Sequence, residues 1–195
     1  WGEGGAVTTN DFELSERIRK LSLHGMSKDG WKRFKTGGKW MYDVSNLGYK
    51  YNMTDVSASF GLWQLNHVEK WHKRREEIFY LYNKKLSEIS GLITPAECLE
   101  GEVNAFHLYI IKIKTLLWKI DRNQIIKMLN KSGIGTSVHY KPVHMHSYYI
   151  SKYGYKQNDF PISEKASNEV ISIPMNPFLT NEQIDYIVSK IQENL

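Results

Sequence analysis

From Thr54 to about Ser90 the sequence runs without proline and with helical apolar spacing, and this stretch limits the fold more than any other. Phe60, Trp63, Trp71, Ile78, Tyr82, Leu86 and Ile89 supply apolar faces, while His72-Lys73-Arg74-Arg75-Glu76-Glu77 interrupts them with charge. A single helix of that length lies far above the usual globular mean. The pattern predicts two helices, or one bent helix that leaves one domain and enters another near residues 70–76.

The two flanks of this stretch differ. Beyond Pro95, residues 105–114 (AFHLYIIKIK) predict a strand, with His107 as an interior histidine. Asp121 caps a helix that turns Ile125, Met128 and Leu129 inward and ends at Gly133. Residues 134–140 (IGTSVHY) predict a second strand, and a helix follows from Ser163 through Val170, then an extended piece over 171–174. Thr180 with Gln183 forms a capping box ahead of Ile184, Ile187, Val188 and Ile191 at i, i+3, i+4, i+7. Strands separated by helices, with no hairpin signal, indicate an α/β or α+β layer.

The front of the chain is poorer. Residues 4–9 (GGAVTT) predict a short strand, and Asn10 or Asp11 caps a helix with Leu14, Ile18 and Leu21 on one face. Residues 24–52 then carry Gly25, Gly30, Gly37, Gly38 and Gly48 and no sustained period, as a functional or disordered loop does. One strand, one helix and one loop cannot enclose a core. The opening segment is therefore expected to be the tail of a larger domain, and its start at Trp1 rather than Met fits residues lying further upstream.

Composition narrows the function classes. Of the net charge of +5, the segment Lys28–Lys39 holds five cations and one anion, so the remainder carries only +1. This is one basic segment, not a basic coat of the kind that binds nucleic acid uniformly. Its interleaved Trp31, Phe34 and Trp40 leave three readings open: a site for a phosphorylated small molecule, a single-strand contact, or a solvated flap. No apolar run reaches the length of a membrane span, and Cys98, the only cysteine, fits a reducing cytoplasmic setting with no chemistry of its own.

Three segments hold candidate chemistry. Gly2-Glu3-Gly4-Gly5 lacks the spacing that cradles phosphates and reads as a turn. His139-Tyr140-Lys141-Pro142-Val143-His144-Met145-His146 gathers three of the seven histidines, but no Cys, Asp or Glu stands near in sequence to complete a zinc shell, so no metal is expected. A rim of neutral donors around a polar ligand and ordinary surface histidines are the alternatives. In GYKYNMTD (48–55), Thr54 or Asp55 caps the long helix, and two readings of Asn52 stay open: an anion site beside the first free N–H groups, or a residue that only makes the turn.

Taken in order, GEGGAVTTND, ELSERIRKLSLHG, LGYKYNMTD with ASFGLWQL, NAFHLYII, GIGTSVHYKPVH and SIPMNPFLT resemble the C-terminal half of the DegT/DnrJ/StrS-type sugar aminotransferases. These are pyridoxal-phosphate (PLP) enzymes of fold-type I. The resemblance implies residues 1–72 as the end of the PLP-binding large domain, with its active-site loop and the start of the linking helix. It implies 73–195 as the small C-terminal α/β domain.

The resemblance also implies an activity: transfer of an amino group from glutamate to a keto group on a nucleotide-linked sugar, in a cytoplasmic homodimer, without nucleic acid or membrane as partner. Asn52 is then a ligand to the cofactor phosphate of the neighbouring subunit. His139, Tyr140 and His144 lie toward the sugar nucleotide, and the loop with Lys32 and Arg33 lies near the active-site mouth, where contact of these two residues with the diphosphate is our own expectation. The family's Schiff-base lysine stands just ahead of the GEGG segment, and no lysine here occupies that position, so this chain is expected to be a fragment that does not catalyse alone. Relatives with histidine there are sugar dehydratases, which remains an alternative. A nucleic-acid-binding module and a non-catalytic assembly domain are the readings outside enzymology.

Overall fold

The computed structural model describes residues 3–26, 42–114, 117 and 120–193. The chain divides into two compact units, Trp1–His67 and Val68–Leu195.

In the first unit, helix α1 (Phe12–Ser22) starts where the Asp11 carboxylate accepts from the Leu14 N–H at 3.0 Å. Glu13 occupies the first turn and Arg19 and Lys20 the last, matching the helix dipole. Its predicted apolar face is not buried. Residues 4–9 form no strand, which corrects the reading of GGAVTT as one. Helix α2 (Asp55–Leu65) begins at Thr54, whose hydroxyl oxygen accepts from the Ser57 N–H at 3.2 Å.

In the second unit, α3 (Val68–Leu86) takes up the helical stretch. The break falls at Asn66-His67 rather than at 70–76. The charged run stays helical because its arginines find acceptors. Arg75 Nη1 donates to the carbonyls of Phe106 and Met175, and Arg74 Nη2 donates to that of Leu179 at 2.7 Å. The sheet is antiparallel in the order β1 (Leu92–Ile93), β2 (Tyr109–Ile113), β3 (Val170–Ile173). Between β2 and β3 lie α4 (Arg122–Lys131), a 3-10 turn at Val143–Met145, α5 (Ser147–Tyr153) and α6 (Pro161–Glu169); α7 (Asn181–Glu193) follows β3.

The core gathers Ile78, Phe79, Tyr82 and Leu86 of α3, Tyr109, Ile111 and Ile113 of β2, Ile171 and Ile173 of β3, Ile125 and Leu129 of α4, and Ile184, Ile187, Val188 and Ile191 of α7. The predicted caps form: Asp121 and Gln124 make a reciprocal box, as do Thr180 and Gln183. Two strand expectations are corrected. His107 is exposed and precedes β2, and residues 134–140 contribute a single bridge, Ser137 to Ser172, instead of a strand. Cys98 packs half-buried against the core.

Candidate functional site

Two segments place candidate side chains, one in each unit. In the first unit, the GYKY backbone lies against the end of α1. Tyr49 N–H donates to Leu21 O (2.7 Å), Tyr51 N–H to Ser22 O (2.8 Å), and His24 N–H to Tyr49 O (2.8 Å). This approach requires glycine. A Cβ on Gly48 would stand 2.1 Å from Gly25 N, and one on Gly25, whose φ is +71°, would stand 1.8 Å from Asn46 O.

Alternation along the extended segment puts Tyr49 and Tyr51 on one side, stacked with centroids 4.9 Å apart. Lys50 reaches back so that its Nζ donates to Asn52 Oδ1. With its carbonyl oxygen taken, half-buried Asn52 has its amide Nδ2 left to donate. Asp55 in the first turn of α2 offsets part of the positive helix end. The donor set is therefore the Asn52 amide and the Lys50 ammonium more than the helix dipole. An amide beside an ammonium suits a phosphate.

In the second unit, Ser137 and Ser172 exchange both backbone bonds (2.8 and 3.1 Å), which fixes the approach of the HYKPVH segment to β3. The His139 Nδ1 lies 2.6 Å from Ser172 Oγ, and its ring meets that of Tyr140 edge-on at 4.6 Å. The His139–Tyr140 peptide is cis, and the Tyr140 side chain is largely exposed. His144 turns inward: it is 6% exposed, and its Nε2 lies 3.0 Å from Glu164 Oε1.

The sequence reading placed no carboxylate near these histidines, and Glu164 corrects it. The bond to His144, aided by the Asn158 and Phe160 N–H groups, holds the Glu164 carboxyl below the usual carboxylate range. Phe160 packs on the His144 ring at 4.7 Å. His146 is exposed, and among the described residues no group of three His, Cys, Asp or Glu side chains is placed to hold a metal. A cleft of about 600 Å³ opens beside the segment, lined among others by Lys141, Pro142, Met145, Arg122, Glu164 and Asn168.

Asn52, His139, Tyr140 and His144 are thus placed, while Lys32 and Arg33 lie outside the described residues. Sequence reasoning missed Lys50, Ser172 and Glu164. Lys50 sat inside the motif as a signal, whereas the other two come from 33 and 20 residues away from their histidines.

A mixed sheet-and-helix unit preceded by a glycine-pinned loop defines a partial α/β architecture, and comparison with known proteins specifies it. The model of the DegT/DnrJ/EryC1/StrS aminotransferase family matches residues 1–192, and the chain belongs to that family. It is 41% identical to the spore coat polysaccharide biosynthesis protein SpsC of Bacillus subtilis, over 98% of this chain and 49% of that protein. It is 32% identical to the UDP-4-amino-4-deoxy-L-arabinose–oxoglutarate aminotransferase of Shewanella sediminis, over 98% of this chain and 50% of that protein. A sugar aminotransferase structure from Streptococcus pneumoniae, Spr1654 in its PMP form, matches with a TM-score of 0.81 and 31% identity over 95% of this chain and 46% of its own. The chain spans about half the length of the relatives it matches.

The PMP bound in the Streptococcus pneumoniae relative carries a phosphate, and the Asn52 amide with the Lys50 ammonium is a donor pair whose chemistry fits such a group.

Proposed function

We propose that this chain forms part of a PLP-dependent aminotransferase that moves an amino group from glutamate to a nucleotide-linked keto-sugar. The product is an amino sugar for surface polysaccharide or a related glycan. The enzyme works as a cytoplasmic homodimer. PLP, when bound, supplies the electron sink for the exchange of amino and keto groups. Asn52 Nδ2 donates to the phosphate bound in the neighbouring subunit, with Lys50 adding charge and holding the amide in orientation. His139 and Tyr140 meet the sugar nucleotide. His144, buried on Glu164, acts behind them by fixing the segment that carries them. Lys32 and Arg33 approach the diphosphate.

The observation that carries this reading is the pairing of the Asn52 amide with the Lys50 ammonium, on a backbone pinned to α1, in a chain of this family. The names of two relatives, one for polysaccharide biosynthesis and one for amination of a UDP-linked sugar, support the substrate class. The test incubates the gene product with PLP, glutamate and a panel of nucleotide-linked keto-sugars, followed by mass spectrometry. PLP-dependent appearance of an amino sugar with 2-oxoglutarate is expected. A dehydrated sugar with no amine transfer selects the dehydratase instead, and no conversion of any panel member overturns the reading.

A further inference from the structure

Ser172 is the one polar residue of β3, a strand whose four residues are all buried. Its N–H and C=O are both taken by Ser137. Only the hydroxyl remains, and among the described residues its one hydrogen-bond partner is His139 Nδ1 at 2.6 Å. This serine is the one hydroxyl in an otherwise aliphatic, buried strand. Its polarity is used on one imidazole nitrogen.

We infer that Ser172 holds His139 as the Nε2–H tautomer, which makes this imidazole a hydrogen-bond donor to an acceptor oxygen of the substrate and not a proton acceptor. Two arrangements satisfy the contact. If Nδ1–H donates to the serine oxygen, the serine proton is buried without an acceptor. If the serine O–H donates to Nδ1, only oxygen lone pairs lack a partner. An unmade buried donor costs more than an unused lone pair, so the second arrangement prevails. The neutral ring carries one proton, which must then sit on Nε2. The ring is half-buried and Tyr140 stands edge-on beside it, so Nε2–H is the polar group it offers to a ligand. Ser172 is thereby a positioning residue. That the acceptor belongs to the substrate rests on the proposed function; the tautomer does not.

Long-range proton–nitrogen NMR on the 195-residue chain, labelled at histidine, decides the tautomer at about pH 8, where imidazoles are ordinarily neutral. The His139 signals are assigned by their disappearance in His139→Gln. Expected is a protonated Nε2 and a bare Nδ1, retained in Ser172→Thr and replaced by a tautomer mixture in Ser172→Ala. A protonated Nδ1 in the wild type, or an unchanged pattern in Ser172→Ala, overturns the inference. In the gene product, Ser172→Ala is expected to raise KM for the sugar nucleotide roughly 2- to 10-fold, the range of one neutral hydrogen bond, with a smaller change in kcat. Unchanged KM in both Ser172→Ala and His139→Gln overturns the donor role. A wild type that aminates nothing removes the proposed function instead, and the NMR pattern still decides the tautomer.

Discussion

Gly48→Ala tests how the GYKYN segment is held. The new Cβ would fall 2.1 Å from Gly25 N, 2.6 Å from His24 C and 2.9 Å from Gly25 Cα. All three are backbone atoms, so no side chain can swing away, and the two segments must part by an ångström or more to reach ordinary contact. That separation breaks the bonds Tyr49–Leu21, Tyr51–Ser22 and His24–Tyr49. At about 0.5–1.5 kcal/mol each, the local loss is roughly 2–4 kcal/mol. Native-state hydrogen exchange reads it directly: the Tyr49 and Tyr51 amides are expected to exchange on the order of 30- to 1000-fold faster, up to the rate of an open segment. Gly135→Ala serves as the control, since its Cβ meets nothing within 4 Å. Unchanged exchange at Tyr49 and Tyr51 in Gly48→Ala refutes the close-approach reasoning.

Two further outcomes concern the second unit. The Glu164 carboxyl is depressed in the folded chain, chiefly by its bond to His144, so its contribution is present above the unfolded carboxylate value of about 4.3 and is lost as pH falls through the lower folded value. In urea melts, the stability gap between wild type and Glu164→Gln is expected to narrow below about pH 4, and a gap that stays constant with pH counts against the pairing. Tyr109→Phe removes the 2.6 Å bond from Tyr109 Oη–H to Asn83 Oδ1 inside the core. A loss of about 1–3 kcal/mol with unchanged urea slope is expected, because the buried amide oxygen loses its donor, and a midpoint equal to wild type contradicts it.

What was legible in the sequence is what local chemistry decides. Asp11, Thr54, Asp121 and Thr180 cap their helices because an acceptor side chain meets an amide three residues on, whatever the rest of the chain does. The same holds for the inward row of α7, Ile184 to Ile191. Pairing across distance was not legible. The β-rich IGTSVHY touches β3 at one bridge only, and GGAVTT is extended in composition but forms no strand. The helix break fell earlier than its charged run implied, because Arg74 and Arg75 find carbonyl acceptors more than thirty residues away. At the candidate site, the motifs single out Asn52, His139 and Tyr140 but not the partners the structure gives two of them, Lys50 for Asn52 and Ser172 for His139. His144 was read as facing a ligand, and its Glu164 partner, supplied by another helix, turns it inward.

The central claim is that Asn52 supplies a donor to a bound cofactor phosphate, and PLP titration of the gene product tests it most directly. Asn52→Ala is expected to raise the dissociation constant for PLP by roughly 10- to 150-fold, the range for one hydrogen bond to a charged group. Equal PLP affinity in wild type and Asn52→Ala, with both assemblies intact by sedimentation, contradicts it.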